Sequence, residues 1–263
     1  GTEIALQVMG ALPARDAGHP SQGRLPALGS DAAVGFKGVM PYAENPSFRN
    51  PTSGLLGNTN NKTVDRPFPN HVSFDWGDTQ RIQRWLTLMK AREVHTRESF
   101  IEAQLDMVNL TAWSLLPLIG ADLWFTGEAA PDGTPERVRQ RALVLLAERN
   151  GEMNEHLPEP LIAEAWLRAV QRRLIQDELG AMAESFTHIS PVFIERVYRN
   201  VGGASVWCDV IQSAAVESCT DVARIALDEA LLELTESYGP NLESWRWGGA
   251  HEATHDHPVL GEV

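Results

Sequence analysis

The sequence predicts an α+β fold, and three observations support this. Residues 1–80 are dense in turn-forming Gly, Pro, Asn and Ser, and short apolar runs such as Ile4–Met9 fit strands between long loops. Residues 81–247 show the 3.6-residue apolar period of amphipathic helices. Residues 248–263 are rich in Gly and His and form a separate third region. At 263 residues, the chain is long enough to bury a large core.

The first two predicted helices follow residue 78. Asp78 or Thr79 is the expected N-cap of the first helix, whose apolar side chains share one face. These side chains are Ile82, Trp85, Leu86, Leu88 and Met89. Thr96 is expected to begin one continuous second helix that runs to Ile119. Its apolar stripe consists of Phe100, Ile101, Leu105, Val108 and Ala112.

The later helices have clearer boundaries. Thr134 is a good N-cap followed by Pro at the first turn, and Asn150-Gly151 is a typical stop, so a helix is predicted over 135–149. Further helices are predicted at about 159–177, 190–200 and 205–238, with a break in the last one left open.

Composition excludes several function classes. A formal net charge of −13 argues against nucleic acid as a partner, because phosphate binding needs a basic surface. No apolar run approaches the roughly 18–20 residues that cross a bilayer, so we expect a soluble chain without a membrane partner. Cys208 and Cys219 are either two buried thiols or one disulfide, and their number alone leaves both open.

The tail contains a zinc-peptidase-like motif. His251, Glu252 and His255 match H-E-x-x-H, which places two zinc ligands and a general base on one helical face. The glycines at 248–249 and Pro258 leave barely two helical turns, and no third ligand lies on that face. A loop with polar histidines is therefore favoured. A zinc metallopeptidase remains one alternative function, and a non-catalytic helical interaction domain is another.

An ordered series of motifs marks the first third of the chain. They read RLP, FKGVMPY and ENPSFRNPTSGLLGNTNN, at Arg24–Pro26, Phe36–Tyr42 and Glu44–Asn61. Together they resemble the β-chain of the penicillin acylase family of N-terminal-nucleophile (Ntn) hydrolases. FPNHVSFDWGDTQRIQRW, QLDMVNLTAWSLLPLI and YGPNLESWRWGGAHEATHDHPVLG continue the resemblance, from about Gly10 to Gly261.

The resemblance implies both an architecture and a chemistry. The architecture is part of an αββα four-layer sandwich with a large all-helical insertion over 81–247. Residues 1–80 supply part of the sandwich, and residues 248–263 are the segment that returns toward it. The chemistry is hydrolysis of a linear amide by a serine at the N-terminus of the β-chain. The serine's own α-amine, with an ordinary pKa near 8, serves as the base.

Two residues of this chain match the family's site. Asn60, which follows Thr59 in the family's x-Asn-Asn motif, is implied to be the oxyanion-hole donor. Arg81, which follows Trp76-Gly77 at the start of the next helix, is implied to orient Asn60 by bonding its amide oxygen. The spacing from Asn60 to Arg81 is one residue shorter than in the relatives that define the pattern.

The resemblance also implies partners. The chain begins with Gly1 rather than the serine nucleophile, so it is either one piece of an enzyme processed into more than two chains or a fragment. In either case we expect companion chains from the same autoproteolytically processed zymogen. These are the α-chain and the serine-bearing part of the β-chain, and this chain alone should be inactive. The substrate is expected to be a small acyl amide. β-Lactams, acyl-homoserine lactones and acylated peptides are not distinguished.

The family is usually exported, which implies a periplasmic or secreted protein and favours a Cys208–Cys219 disulfide. No cofactor is required for the chemistry. The family often holds a structural calcium ion, but Asn70, His71 and Val72 occupy the corresponding position without the expected aspartate. Any calcium should therefore be bound mainly by residues outside this chain.

Overall fold

The computed structural model describes residues 2–64, 72–124 and 127–253. Contacts divide the chain into two compact units, Gly1–Ala103 and Gln104–Val263. The strands are β1 (Ala5–Gln7), β2 (Pro13–Ala14), β3 (Gly38–Val39) and β4 (Ser47–Arg49). The α-helices are α1 (Gln80–Lys90), α2 (Arg97–Gln104), α3 (Leu110–Ile119), α4 (Pro135–Ala147), α5 (Glu159–Leu179), α6 (Pro191–Tyr198), α7 (Cys219–Tyr238) and α8 (Trp247–Ala250). Short 3₁₀ helices lie at Ala32–Val34, Tyr42–Glu44, Gly180–Ser185, Val201–Cys208 and Leu242–Ser244.

The unit Gly1–Ala103 begins with two antiparallel ribbons. β1 pairs with β4, and β2 pairs with β3. The buried Asn45 side chain braces the first ribbon, because its Nδ2 donates to the Val8 carbonyl at 3.1 Å and to the Gly10 carbonyl at 3.0 Å. Polar groups therefore fix this part of the chain where apolar packing is sparse.

A buried histidine fixes the loop between β2 and β3. His19 Nδ1 accepts hydrogen bonds from the backbone N–H groups of Ser21 at 3.2 Å and Gln22 at 3.0 Å. These two donors leave the ring proton on Nε2, which donates to the Val34 carbonyl at 3.1 Å. One side chain thus ties both ends of a long irregular segment together.

The unit Gln104–Val263 is helical and is centred on α5. This helix packs lengthwise against α7, and α3, α4 and α6 complete the surrounding layer. Trp166, which is fully buried on α5, donates from Nε1 to the Ala223 carbonyl of α7 at 2.9 Å. The unit is therefore built around one apolar core shared by its two longest helices.

Most predicted helices are present with nearly the predicted bounds. Thr134 Oγ1 accepts the Arg137 N–H at 3.2 Å, so α4 begins at the predicted cap. Thr79 occupies the N-cap position of α1, although its side chain makes no capping hydrogen bond. The region 205–238 is broken, with a 3₁₀ helix up to Cys208 and α7 beginning at Cys219.

The continuous helix predicted from Thr96 to Ile119 is wrong, because the chain breaks between α2 and α3. Asp106 Oδ1 accepts the Val108 N–H at 3.3 Å, and Asn109 Oδ1 caps α3 through the Thr111 N–H at 2.9 Å. The Asn109 N–H also donates to the Gly151 carbonyl at 2.9 Å. Short polar side chains compete with helical hydrogen bonds in this way, and pairing with a distant segment completes the break.

The break also disperses the apolar stripe predicted for that helix. Ala112 is buried, whereas Phe100 and Leu105 are 55% and 70% exposed. The stripe predicted from the sequence is thus divided among α2, α3 and the segment between them, which contains Leu105 and Val108.

The observed helices and short strands agree with an α+β class. The four-layer sandwich and the division into 1–80, 81–247 and 248–263 stay predictions, and residues 254–263 lie outside the described part. Over the described ranges, none of the helices combines the length and the apolar character that crossing a membrane requires.

Candidate functional site

Three asparagines form a compact turn in the segment after β4. The Asn58 Oδ1 atom accepts the Asn60 N–H at 2.9 Å, and the Asn61 Oδ1 atom accepts the Thr59 N–H at 3.0 Å. Asn60 lies in the left-handed region with φ +66°, where asparagine is tolerated better than most residues. Two of the amide side chains therefore shape the backbone, and that of Asn60 projects from the turn with its surface exposed.

The Asn60 amide is oriented by an arginine. Arg81 Nη2 donates to Asn60 Oδ1 at 2.9 Å and to the Thr59 carbonyl at 2.5 Å. A guanidinium group can only donate, so the oxygen of the Asn60 amide faces Arg81 and the nitrogen faces away. In the described ranges no group accepts a hydrogen bond from Asn60 Nδ2. The result is an amide N–H donor whose direction is fixed by Arg81.

Helix α1 supplies Arg81 from its first turn and is itself held against the asparagine segment. Gly77 N–H donates to the Asn60 carbonyl at 2.9 Å. The ring of Trp85, one turn beyond Arg81, lies against Gly57, where an added Cβ would come within 2.6 Å of the ring. Contacts just before α1 and at its middle therefore fix the helix relative to the turn that carries Asn60.

The structure thus brings Asn60 and Arg81 together, 21 positions apart, despite the shortened spacing. Their catalytic roles stay predictions. Sequence reasoning missed Gly77, because only the folded chain reveals that its backbone closely approaches Asn60. The turn-forming roles of Asn58 and Asn61 follow the general tendency of asparagine to bond to backbone two residues away.

The zinc motif lacks the helical setting that it needs. α8 ends at Ala250, and residues 251–253 are not helical. The His251 ring stacks on Trp247, with 4.7 Å between centroids. His255 lies outside the described residues. Within 2–64, 72–124 and 127–253, no three His, Cys, Asp or Glu side chains are grouped closely enough to share a metal ion.

The calcium expectation falls on a segment that the structure describes only in part. Asn70 and His71 lie outside the described residues, and Val72, the first described residue after them, has an apolar side chain. No step of the chemistry is assigned to a metal ion.

The two cysteines are bonded to each other. Cys208 and Cys219 are joined with their Cα atoms 5.0 Å apart, which closes a loop over residues 209–218. Asp177 Oδ2 at the end of α5 accepts the Ile211 N–H at 2.8 Å, so the loop is also anchored to that helix. This feature lies in the helical unit and shares no residue with the Asn60 turn.

Comparison with known proteins shows the family of this chain. A family model described as penicillin amidase matches residues 1–262. The chain belongs to the penicillin amidase family. Within that family, the acyl-homoserine lactone acylase QuiP of Pseudomonas aeruginosa is 25% identical, over 94% of this chain and 30% of the relative. Penicillin G acylase of Escherichia coli is 24% identical, over 90% of this chain and 30% of that relative.

The fold agrees with a solved structure of the same family. A thermostable penicillin G acylase from Alcaligenes faecalis aligns with a TM-score of 0.63 and 16% identity. The alignment covers 93% of this chain and 46% of that one. The chain spans about a third of the length of the two curated relatives.

Proposed function

We propose that this chain supplies the oxyanion-hole asparagine, Asn60, to an enzyme that hydrolyses the amide bond between an acyl group and an amine. The observation that carries the proposal is the hydrogen bond from Arg81 Nη2 to Asn60 Oδ1 at 2.9 Å. It leaves the Nδ2–H of Asn60 directed away from the arginine and available to a substrate oxygen. Membership in the penicillin amidase family supports amide hydrolysis as the reaction.

The proposed reaction begins with a serine at the N-terminus of a companion chain. Its α-amine takes the hydroxyl proton, directly or through a water molecule, as the serine oxygen bonds to the carbonyl carbon. The carbonyl oxygen becomes an oxyanion and receives the hydrogen bond from Asn60 Nδ2. The C–N bond then breaks, the amine leaves with the proton, and water hydrolyses the acyl-serine to the free acid.

Asn60 suits this role because its donor is fixed before the charge develops. The contact with Arg81 removes the rotational freedom of the amide, so no reorganisation is needed as the oxyanion forms. The positive guanidinium also polarises the amide towards its oxygen, which strengthens the opposite N–H as a donor. A single oxyanion donor of this kind contributes about 3–4 kcal/mol to lowering the barrier.

The nucleophile is proposed to lie on other chains of the same precursor. This chain spans about 30% of its curated relatives, so most of the length of such an enzyme lies outside these 263 residues. We propose a periplasmic or secreted enzyme, since the Cys208–Cys219 bond suits an oxidising compartment. Intact native mass spectrometry should detect this chain with companion chains, one of them beginning with serine. A stable, active assembly of this chain alone would contradict the proposal.

The substrate is proposed as a linear acyl amide. Two relatives carry the names acyl-homoserine lactone acylase and penicillin G acylase, which makes acyl-homoserine lactones and penicillin G the first compounds to assay. Release of a primary amine from either one would support the class. Hydrolysis of neither, by an assembly in which the serine is present, would exclude both choices.

The role of Asn60 is tested by Asn60→Gly in the assembled enzyme. Glycine adopts φ +66° without strain, so the variant removes the amide and keeps the backbone. We expect kcat to fall about 100-fold or more with little change in KM.

Asn50→Gly is the matched control, since Asn50 also has a positive φ, of +46°. Its side chain contacts Ile4 and Glu3 instead of the Asn60 turn. Its kcat should stay close to wild type. Near-normal turnover in Asn60→Gly would remove Asn60 from the mechanism.

A further inference from the structure

Gly77 lies closer to Asn60 than a residue with a side chain could. Its N–H donates to the Asn60 carbonyl at 2.9 Å. A Cβ on Gly77 would lie 2.7 Å from the Asn60 carbonyl oxygen, and 3.2 Å from both the carbonyl carbon and the Asn60 Cβ. The φ of Gly77 is not in the left-handed region. Close approach of the two backbones, rather than backbone conformation, is therefore what requires glycine here.

Asn60 needs an external constraint because its backbone conformation is unfavourable for a residue with a side chain. A residue at φ +66° is held by its surroundings and not by its own preference. Asn58 Oδ1 fixes the N–H of Asn60 at 2.9 Å, and Gly77 fixes its carbonyl. If the peptide on the carbonyl side rotated, the Cα–Cβ direction would change and the amide would leave its position.

The segment from Gly77 to Arg81 therefore contacts Asn60 at two points. Gly77 holds the backbone carbonyl, and Arg81 holds the side-chain Oδ1 at 2.9 Å. The parallel bridge between Asn61 and Gly77 keeps these contacts in register. A shift of the segment that opened the Gly77 contact would also displace the arginine.

We propose that Gly77 is a positioning residue for the Asn60 amide, and that its missing side chain allows the backbone contact that places the amide. This role rests on the proposed function of Asn60. Gly77 touches no reacting atom and acts only through Asn60.

The role is tested by a double-mutant cycle in the assembled enzyme, with Gly77→Ala, Asn60→Gly and their combination. Gly77→Ala should lower kcat about 10- to 100-fold with KM within threefold of wild type, because a displacement of about 1 Å is enough to misplace a catalytic group. In the Asn60→Gly background the same change should lower kcat less than twofold, because the group that Gly77 positions is already gone. Gly29→Ala is the control, since no described atom lies within 4 Å of an added Cβ there.

A stability cycle on the same variants keeps the test decisive if Gly77→Ala is poorly folded. The added methyl group would lie 3.2 Å from the Asn60 Cβ and 2.7 Å from its carbonyl oxygen. Asn60→Gly removes the first contact and makes the backbone free to relax the second, so it should relieve part of the clash. Gly77→Ala should therefore lower the melting temperature by less when Asn60→Gly is present. Equal losses of melting temperature in both backgrounds would overturn the proposal.

The kinetic outcomes distinguish the positioning role of Gly77 from the proposed function of Asn60. If Asn60→Gly lowers kcat and Gly77→Ala does not, the positioning role is wrong and the function of Asn60 stands. If Gly77→Ala lowers kcat by the same factor in both backgrounds, Gly77 does not act through Asn60. If Asn60→Gly itself leaves kcat unchanged, the proposed function fails, and the positioning role fails with it.

Discussion

The unit Gln104–Val263 holds nearly all the fully enclosed aliphatic and aromatic side chains among the described residues, whereas Gly1–Ala103 encloses Met89. In the first ribbon and loops of Gly1–Ala103, the buried groups are instead polar, notably His19 and Asn45. Apolar packing stabilises the helical unit, and hydrogen bonds to backbone groups organise the other.

The candidate site belongs to the unit organised by hydrogen bonds. Asn60 is placed by Asn58, Gly77 and Arg81, all through polar contacts. Such contacts fix direction well and contribute about 1 kcal/mol each to stability. Variants at the site should therefore affect turnover strongly and folding weakly, and variants in the helical core should do the reverse.

The largest expected stability effect is in the helical core. Trp166→Ala removes a fully buried ring and its hydrogen bond to Ala223, and should lower the free energy of unfolding by about 3–5 kcal/mol. Trp113→Ala is the control, because that ring is 57% exposed and should cost about 1 kcal/mol or less. Urea unfolding monitored by circular dichroism measures both. Equal losses would mean that the core is not centred on α5.

A smaller loss of stability is expected when a buried polar group is removed from the unit Gly1–Ala103. Asn45→Ala removes the donor to the Gly10 carbonyl and leaves the Val8 carbonyl with Gln7 Nε2, so it should cost about 1–3 kcal/mol. Leu28→Ala removes a larger aliphatic group that is 77% exposed and should cost about 0.5 kcal/mol or less. Amide hydrogen exchange in β1 reports the local loss. A larger loss from Leu28→Ala would contradict the account of this unit.

The smallest expected effect is a pH dependence of the stability, caused by Glu178 at the end of α5. Partial desolvation, and after it the adjacent Asp177 carboxyl, raises the pKa of Glu178 to about 7. The ordinary pKa of a glutamate side chain is about 4.5, so the contribution of Glu178 to stability is fully present below about pH 4.5 and is lost as pH rises through about 7.

Glu178→Gln keeps a hydrogen-bond donor at that position and removes the titration. Between pH 5 and 8, the urea midpoint of the wild type should fall more than that of this variant. Glu236→Gln, an exposed substitution in the same unit, should retain the wild-type slope. Parallel slopes for all three proteins would show that Glu178 does not titrate in this range.

Local signals predicted several elements well. The boundaries of α4 follow from Thr134, Pro135 and the Asn150-Gly151 stop, because caps act within a single turn of helix. The break between α2 and α3 was not predictable from apolar period. It depends on Asp106 and Asn109 side chains and on pairing with residues far along the chain.

The candidate site, too, was predicted from the sequence only in part. The resemblance of the motifs indicated Asn60 and Arg81, and the structure brings them within hydrogen-bond distance. Neither spacing nor composition indicated Gly77, because its constraint comes from the backbone of a residue 17 positions earlier that approaches only in the folded chain. Sequence patterns are least able to predict contacts between segments that are distant in the sequence.

The central claim is that Asn60 stabilises an oxyanion, and a tetrahedral analogue tests it most directly. In the assembled enzyme, the inhibition constants of an acyl boronate and of the product carboxylic acid should be compared between wild type and Asn60→Gly. The account predicts that the boronate binds about 100-fold more weakly to the variant, while the acid changes less than about threefold. Equal changes for both inhibitors, or none for the boronate, would contradict it.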